Sequence, residues 1–120
     1  MAIFKRNLLN KLLEWKSSNY RKPLVLRGAR QVGKTTLVNL FSQSFTQFIY
    51  LNLDDINDKS IFEDNSGFEK TLETIFFLKN ADKNQKNTLL FIDEIQNSSI
   101  AVNYLRYFYE KTPGLCVIAA

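Results

Sequence analysis

Gly28-Ala29-Arg30-Gln31-Val32-Gly33-Lys34-Thr35 decides how the rest of the chain is read. The segment fits G-x-x-x-x-G-K-[ST] without deviation, which is the pattern of a phosphate-binding loop. The spacing has a chemical reason. A polyphosphate must be met by several backbone N–H groups at once, and glycines let a tight loop wrap that closely. A helix opening near Lys34 aims its positive dipole end at the same point. In such a loop Lys34 reaches the β- and γ-phosphates, and the Thr35 hydroxyl coordinates Mg²⁺.

The pattern carries weight only between a strand and a helix. Leu24-Val25-Leu26, opened by Pro23, reads as a short buried strand, and a helix is expected from about Lys34 through Phe45. Further on, Thr88-Leu89-Leu90-Phe91-Ile92 reads as a strand buried on both faces, and it runs into Asp93-Glu94. Ligands bind at the carboxyl ends of strands in a parallel sheet. Asp93 is therefore expected on the same edge as the phosphate loop, holding Mg²⁺ through its water shell. Glu94 is expected to polarise a water for attack on the γ-phosphate. The metal needs a carboxylate near Thr35, and hydrolysis needs a second one not engaged by metal. The plainer alternative is that the two acids merely end a strand and start a turn.

Around these segments the apolar spacing outlines the other elements. Phe4, Leu8, Leu9, Leu12 and Leu13 mark an amphipathic helix from Phe4 to Trp15, with Lys5, Arg6 and Lys11 on its polar face. Ser17 to Asn19 read as a loop. Phe48 to Leu53 suits a second strand, and the acidic stretch after it reads mostly as loop. Ser66-Gly67 precedes a helix from about Phe68 to Lys79. A helix near Ile100 to Lys111 is stopped by Pro113-Gly114, and Leu115 to Ala120 begins a fourth strand. Strands alternating with helices imply an α/β fold with a mostly parallel sheet covered on both faces.

Composition narrows the function classes. The chain has 120 residues, enough to bury a core as one domain, and no apolar run approaches the roughly 20 residues of a membrane span. With 45 % hydrophobic and 23 % charged residues it resembles an ordinary globular protein. No histidine occurs, which excludes His-dependent triads and zinc sites built within the chain. The one cysteine, Cys116, sits among Leu115, Val117 and Ile118 and reads as a buried strand residue; a reducing cytoplasm is the expected setting. Charge is uneven. Lys5, Arg6, Lys11, Lys16, Arg21 and Lys22 crowd the N-terminal end, whereas acids dominate residues 54–73. A basic end can attract nucleic acid or simply face solvent, and solvation is the default.

Several tempting features carry less. Asp64-Asn65-Ser66-Gly67 matches a D-x-x-G string of GTPases, but it follows no apolar strand and no N-K-x-D segment occurs. Tyr104, Tyr107, Phe108 and Tyr109 could stack on bases, though Tyr104 and Phe108 at helical spacing read as core. Arg106 reads as a solvated arginine, and Asp54-Asp55 as a strand-ending turn.

The two motifs together resemble those of the AAA+ and related P-loop ATPases, whose Walker B element ends in Asp-Glu and whose Walker A element is the phosphate loop. The chain looks closer still to a mostly uncharacterised group of prokaryotic AAA-like ATPases. That likeness is carried by Arg27-Gly28-Ala29-Arg30-Gln31-Val32-Gly33-Lys34-Thr35-Thr36, by Leu51-Asn52-Leu53-Asp54-Asp55 and by Phe91-Ile92-Asp93-Glu94-Ile95-Gln96. The resemblance implies a three-layer αβα P-loop NTPase fold with strand order 5-1-4-3-2, the fourth strand lying between the two motif strands. It also implies a polar sensor, a fifth strand and a C-terminal region after Ala120. Residues 1–120 are accordingly expected to be the N-terminal portion of an ATPase domain, truncated after the fourth strand, and no arginine finger can be assigned.

The expected activity is MgATP binding and ATP hydrolysis. The expected nucleotide-binding residues are Gly28, Ala29, Arg30, Gln31, Val32, Gly33, Lys34, Thr35 and Thr36. Thr35 and Asp93 are the expected metal-holding pair, and Lys34 and Glu94 the catalytic one. Two alternatives stand beside it. One is an ATP-binding module with negligible turnover, because transition-state charge needs groups absent from the chain. The other is a nucleic-acid-associated ATPase, prompted by the basic end; a P-loop kinase is weaker, as no acceptor site is visible. No protein partner or oligomeric state can be named.

Overall fold

The computed structural model describes residues 3–18, 21–27, 33–64 and 66–120. Its centre is set by the strand with the most apolar sequence. Thr88 through Ile92 of β3 (Thr88–Asp93) are all buried, because Leu89 and Phe91 face one side of the sheet and Leu90 and Ile92 the other. β4 (Cys116–Ala119) is equally buried, since its four residues are small or apolar throughout. Runs of this kind are stable only with helices over both faces.

The other two strands take the edges. β1 (Leu24–Val25) pairs with β4, and β2 (Gln47–Asn52) pairs with β3, so the order is β1-β4-β3-β2 with every pair parallel. The fourth strand thus lies between the two motif strands, as the resemblance implies. Val25 departs from the expected buried strand: it is 39 % exposed, and among the described residues β1 pairs with β4 alone. β2 alternates instead. Ile49 and Leu51 are buried, whereas Phe48 and Tyr50 on the other face are partly open to solvent.

Helices α1 (Ile3–Lys16) and α2 (Lys34–Ser42) cover one face, where Leu12, Leu37, Val38 and Phe41 pack on Leu89, Phe91, Cys116 and Ile118. Burial pushes the Cys116 thiol above its usual range, with the charges of Arg21 and Lys16 working against that shift. α1 is held by its end: Trp15 Nε1 donates to the Lys22 carbonyl at 2.9 Å, and Lys16 donates to the Ser44 carbonyl. Arg21 donates to the carbonyls of Lys16 and Gly114 at 2.9 and 3.0 Å.

The opposite face is covered by three helices rather than the two expected. The acidic stretch read as loop contains α3 (Ile56–Glu63). Asp55 caps it by accepting from the Asn57 N–H at 2.9 Å, and Ile61 and Phe62 anchor it in the core. An eight-residue helix shows little periodicity, so a cap and two buried side chains outweigh its polar composition. α4 (Phe68–Leu78) and α5 (Ser99–Lys111) complete the layer. Phe68 is the hub between them, with ring centroids 5.4 Å from Tyr104 and 5.0 Å from Phe108. The expectation that Tyr104 and Phe108 are packing residues therefore holds. Arg106 is exposed and pairs with Glu110 at 3.1 Å, one helical turn away.

Candidate functional site

Register places the site. Val25 of β1 and Ile92 of β3 both align with Ala119 of β4, so the carboxyl ends of the two motif strands stand level. The alignment continues past the strands: Leu26 donates to the Ala119 carbonyl at 2.8 Å, and Ala120 to the Ile92 carbonyl at 3.0 Å. With one strand between them, Leu26 and Asp93 are roughly 10 Å apart at ordinary strand spacing. The chain leaving Leu26 enters the phosphate-loop segment on the edge where Asp93 ends β3. Gly28, Ala29, Arg30, Gln31 and Val32 lie outside the described residues.

Gly33 adopts φ 84°, a left-handed conformation that glycine takes without penalty. Its carbonyl accepts from the Leu37 N–H at 2.8 Å, which starts α2 at Lys34. No side chain caps this helix and its first turn holds no acid. The first-turn N–H groups of Lys34, Thr35 and Thr36 have no partner within the helix, so this end favours an anion. Thr35 and Thr36 are exposed there, and Lys34 is half-buried.

Asp93 belongs to the same sheet face as α2, since it alternates with Leu89 and Phe91 beneath that helix. Both carboxylate oxygens are engaged. Oδ1 accepts from the Glu94 N–H and Oδ2 from the Tyr50 hydroxyl, each at 3.0 Å. Burial and the Asp93 carboxylate push the Tyr50 phenol up to about 12. Glu94 sits just past the strand with φ 54°, and its Oε1 accepts from Gln96 Nε2 at 2.9 Å. Asp93 and Glu94 are both half-buried, open enough to meet a ligand. The donor set is all oxygen, which suits a hard divalent cation. Among the described residues no group of three or more His, Cys, Asp or Glu could hold a metal alone. Mg²⁺ ordinarily needs only one or two protein oxygens when substrate phosphates and waters complete its shell.

The other acids of this edge are structural. Asp54 accepts from Asn97 Nδ2 at 2.7 Å and Asp55 caps α3, in line with the turn expected for them. Asp58 accepts from the Asn52 N–H and pairs with Lys79, both at 3.0 Å.

Two cavities among the described residues bear on the site. One, of about 310 Å³, lies against Lys34 and is lined by Leu8, Leu12, Trp15, Leu26, Lys11 and Arg27 among others. Lys11, Arg27 and Lys34 place three cations around this mostly apolar hollow. The larger, about 420 Å³, lies between α4 and residues 112–115, at the amino ends of β3 and β4. It is on the wrong edge for a ligand of the motif residues. Sequence reasoning did not single out Tyr50, Gln96 or the Lys11 and Trp15 lining of the smaller cavity. Gln96 was within reach as a neighbour of Glu94. Tyr50 was not, because no sequence signal fixes the register of β2 on β3.

No helix of the described residues is long and apolar enough to cross a membrane. A family model described as an AAA domain matches residues 20–120, which leaves only α1 and its following turn outside the match. No curated protein and no solved structure matches the chain. The match spans all four strands, and the parallel order β1-β4-β3-β2 with the motif residues at its carboxyl edge agrees with it. The chain belongs to the AAA domain family, whose members are nucleotide-binding, ATPase-like domains.

Proposed function

We propose that this chain binds MgATP at the carboxyl edge of its sheet and hydrolyses it. The observation that supports this most is the level placement of the β1 and β3 ends across β4, so that the chain leaves β1 on the edge where Asp93 ends β3. In this reading the backbone of Gly28 to Gly33 and the first turn of α2, including Thr36, surround the phosphates. Lys34 neutralises their charge, and Thr35 and Asp93 hold Mg²⁺. Bound Mg²⁺ would offset charge on the phosphate oxygens as the terminal bond breaks. Glu94 orients a water and takes its proton at the carboxylate, with Gln96 fixing the direction of that group. The cavity beside Lys34 gives the nucleoside an apolar wall. A cytoplasmic setting fits the free, buried Cys116.

Lys34→Ala tests the reading. Its affinity for MgATP, followed with a fluorescent ATP analogue, is expected to fall at least about tenfold, the loss of one charge-assisted hydrogen bond. Affinity equal to wild type rejects the proposal. The nucleic-acid reading draws no added support from the fold, since Lys16 and Arg21 are turned to backbone carbonyls and Lys22 lies over the Tyr109 ring.

A further inference from the structure

We infer that Tyr50 is a positioning residue for Asp93, holding its carboxylate in the orientation that receives the metal. This rests on the MgATP reading above and adds to it a group from outside both motifs.

The geometry is specific to the sheet. In the β2–β3 register Tyr50 pairs with Phe91, and Asn52 pairs with Asp93. Tyr50 is therefore the diagonal neighbour of Asp93, not the opposite one. At ordinary strand spacing and rise, diagonal partners two residues on stand roughly 8 Å apart, too far for a short side chain and within reach of a phenol. Phe91 guides that reach: the two rings lie 5.4 Å apart at 43°, so the Tyr50 ring rests on Phe91 and its hydroxyl extends to Oδ2. Asn52, although directly opposite, turns its side-chain oxygen to the Asp54 N–H at 3.0 Å.

The result is a carboxylate held from two sides. Oδ1 is tied to the Glu94 N–H and Oδ2 to Tyr50, so the group cannot rotate without breaking a bond. Each oxygen keeps a second lone-pair position for a metal-bound water. Burial does not dictate the contact. Tyr50 is 37 % exposed, and water could satisfy its hydroxyl equally well. Partners of this kind orient carboxylates at metal sites, and removing one weakens metal affinity by roughly 10–100-fold.

Tyr50→Phe keeps the ring on Phe91 and removes only the hydroxyl. Binding of a fluorescent ATP analogue is measured with and without Mg²⁺ for wild type, Tyr50→Phe, Asp93→Ala, the double variant and Lys34→Ala. The Mg²⁺ concentration needed for tight binding is expected to rise about tenfold in Tyr50→Phe, with Mg²⁺-free affinity unchanged. In the Asp93→Ala background the same change is expected to add nothing, because Tyr50 acts through that carboxylate. A Tyr50→Phe variant with wild-type Mg²⁺ dependence beside a shifted Asp93→Ala overturns the positioning role and leaves the MgATP reading intact. Additive effects in the double variant overturn it as well. Lys34→Ala with wild-type affinity removes the MgATP reading and this inference together.

Discussion

The backbone N–H of Glu94 donates to Oδ1 of Asp93 at 3.0 Å, and Glu94 makes that bond from a left-handed backbone with φ 54° and ψ 45°. The conformation costs a side-chain-bearing residue of order 1–2 kcal/mol, whereas glycine enters it freely. Strain of this kind persists where the surroundings enforce it, often at functional sites. Glu94→Gly is expected to raise stability in urea by about 1 kcal/mol while ATP turnover drops to background. Glu94→Gln is expected to keep MgATP affinity and slow single-turnover hydrolysis by roughly 10²–10⁴-fold. An unchanged rate in the glutamine variant takes Glu94 out of the chemistry, and wild-type hydrolysis at background favours a module that binds without turnover.

Asp58 joins three elements through one carboxylate. It stands on α3, accepts from the Asn52 N–H at the end of β2, and pairs with Lys79 after α4, while only 14 % of its side chain is exposed. Asp58→Ala strands a half-buried N–H and an ammonium together, at a cost of about 2–3 kcal/mol. Asp58→Asn retains an acceptor and is expected to lose about half as much. Urea midpoints of the two variants measure the difference; equal losses would assign the whole effect to the Lys79 pair.

Asn80 ends α4 in the left-handed region at φ 57°. Two bonds close the end: Ala81 donates to the Phe76 carbonyl at 2.8 Å and Asn80 to the Phe77 carbonyl at 3.1 Å. Asn80→Gly fits the same turn with less strain and is expected to gain a few tenths of a kcal/mol. Asn80→Ala is expected to lose about 1 kcal/mol. Thermal melts in the order glycine, asparagine, alanine would support the assignment, and a reversed order would count against it.

Tyr50 makes stability depend on alkaline pH. Its phenol is pushed up to about 12 in the folded protein, from an ordinary value near 10. Below pH 10 the group is protonated in both states and the stability it contributes is fully present. Between pH 10 and 12 the unfolded chain releases the proton first, so stability falls as pH rises. Because the side chain is more than a third exposed, the slope is expected to fall short of a full proton. Urea unfolding should show wild type more stable than Tyr50→Phe below pH 10 and the two curves converging above it, and parallel curves would contradict the shift.

Local pattern was enough wherever one residue's environment depends on its near neighbours. The apolar run of β3 announced a strand buried on both faces, and it is one. The helical spacing of Tyr104 and Phe108 announced core, and both pack around Phe68. Pattern failed where a few contacts decide. α3 has eight residues and an acidic look, yet the Asp55 cap and the burial of Ile61 and Phe62 hold it helical. Leu24-Val25-Leu26 reads as a buried strand from its apolar run, yet β1 pairs with β4 alone among the described residues and Val25 is 39 % exposed.

For the site, the sequence by itself determined the chemistry on offer. It named a loop that suits phosphate, a lysine and a threonine opening a helix, and two acids closing a strand, because those choices are written in consecutive residues. Only the tertiary structure decided that Val25 and Ile92 stand level across Ala119, so that β1 and β3 end on one edge. It alone brought the Tyr50 hydroxyl to Asp93 across a diagonal of the sheet. Register between strands depends on how the two faces pack over the whole sheet, and a shift of one residue would turn Tyr50 to the other side.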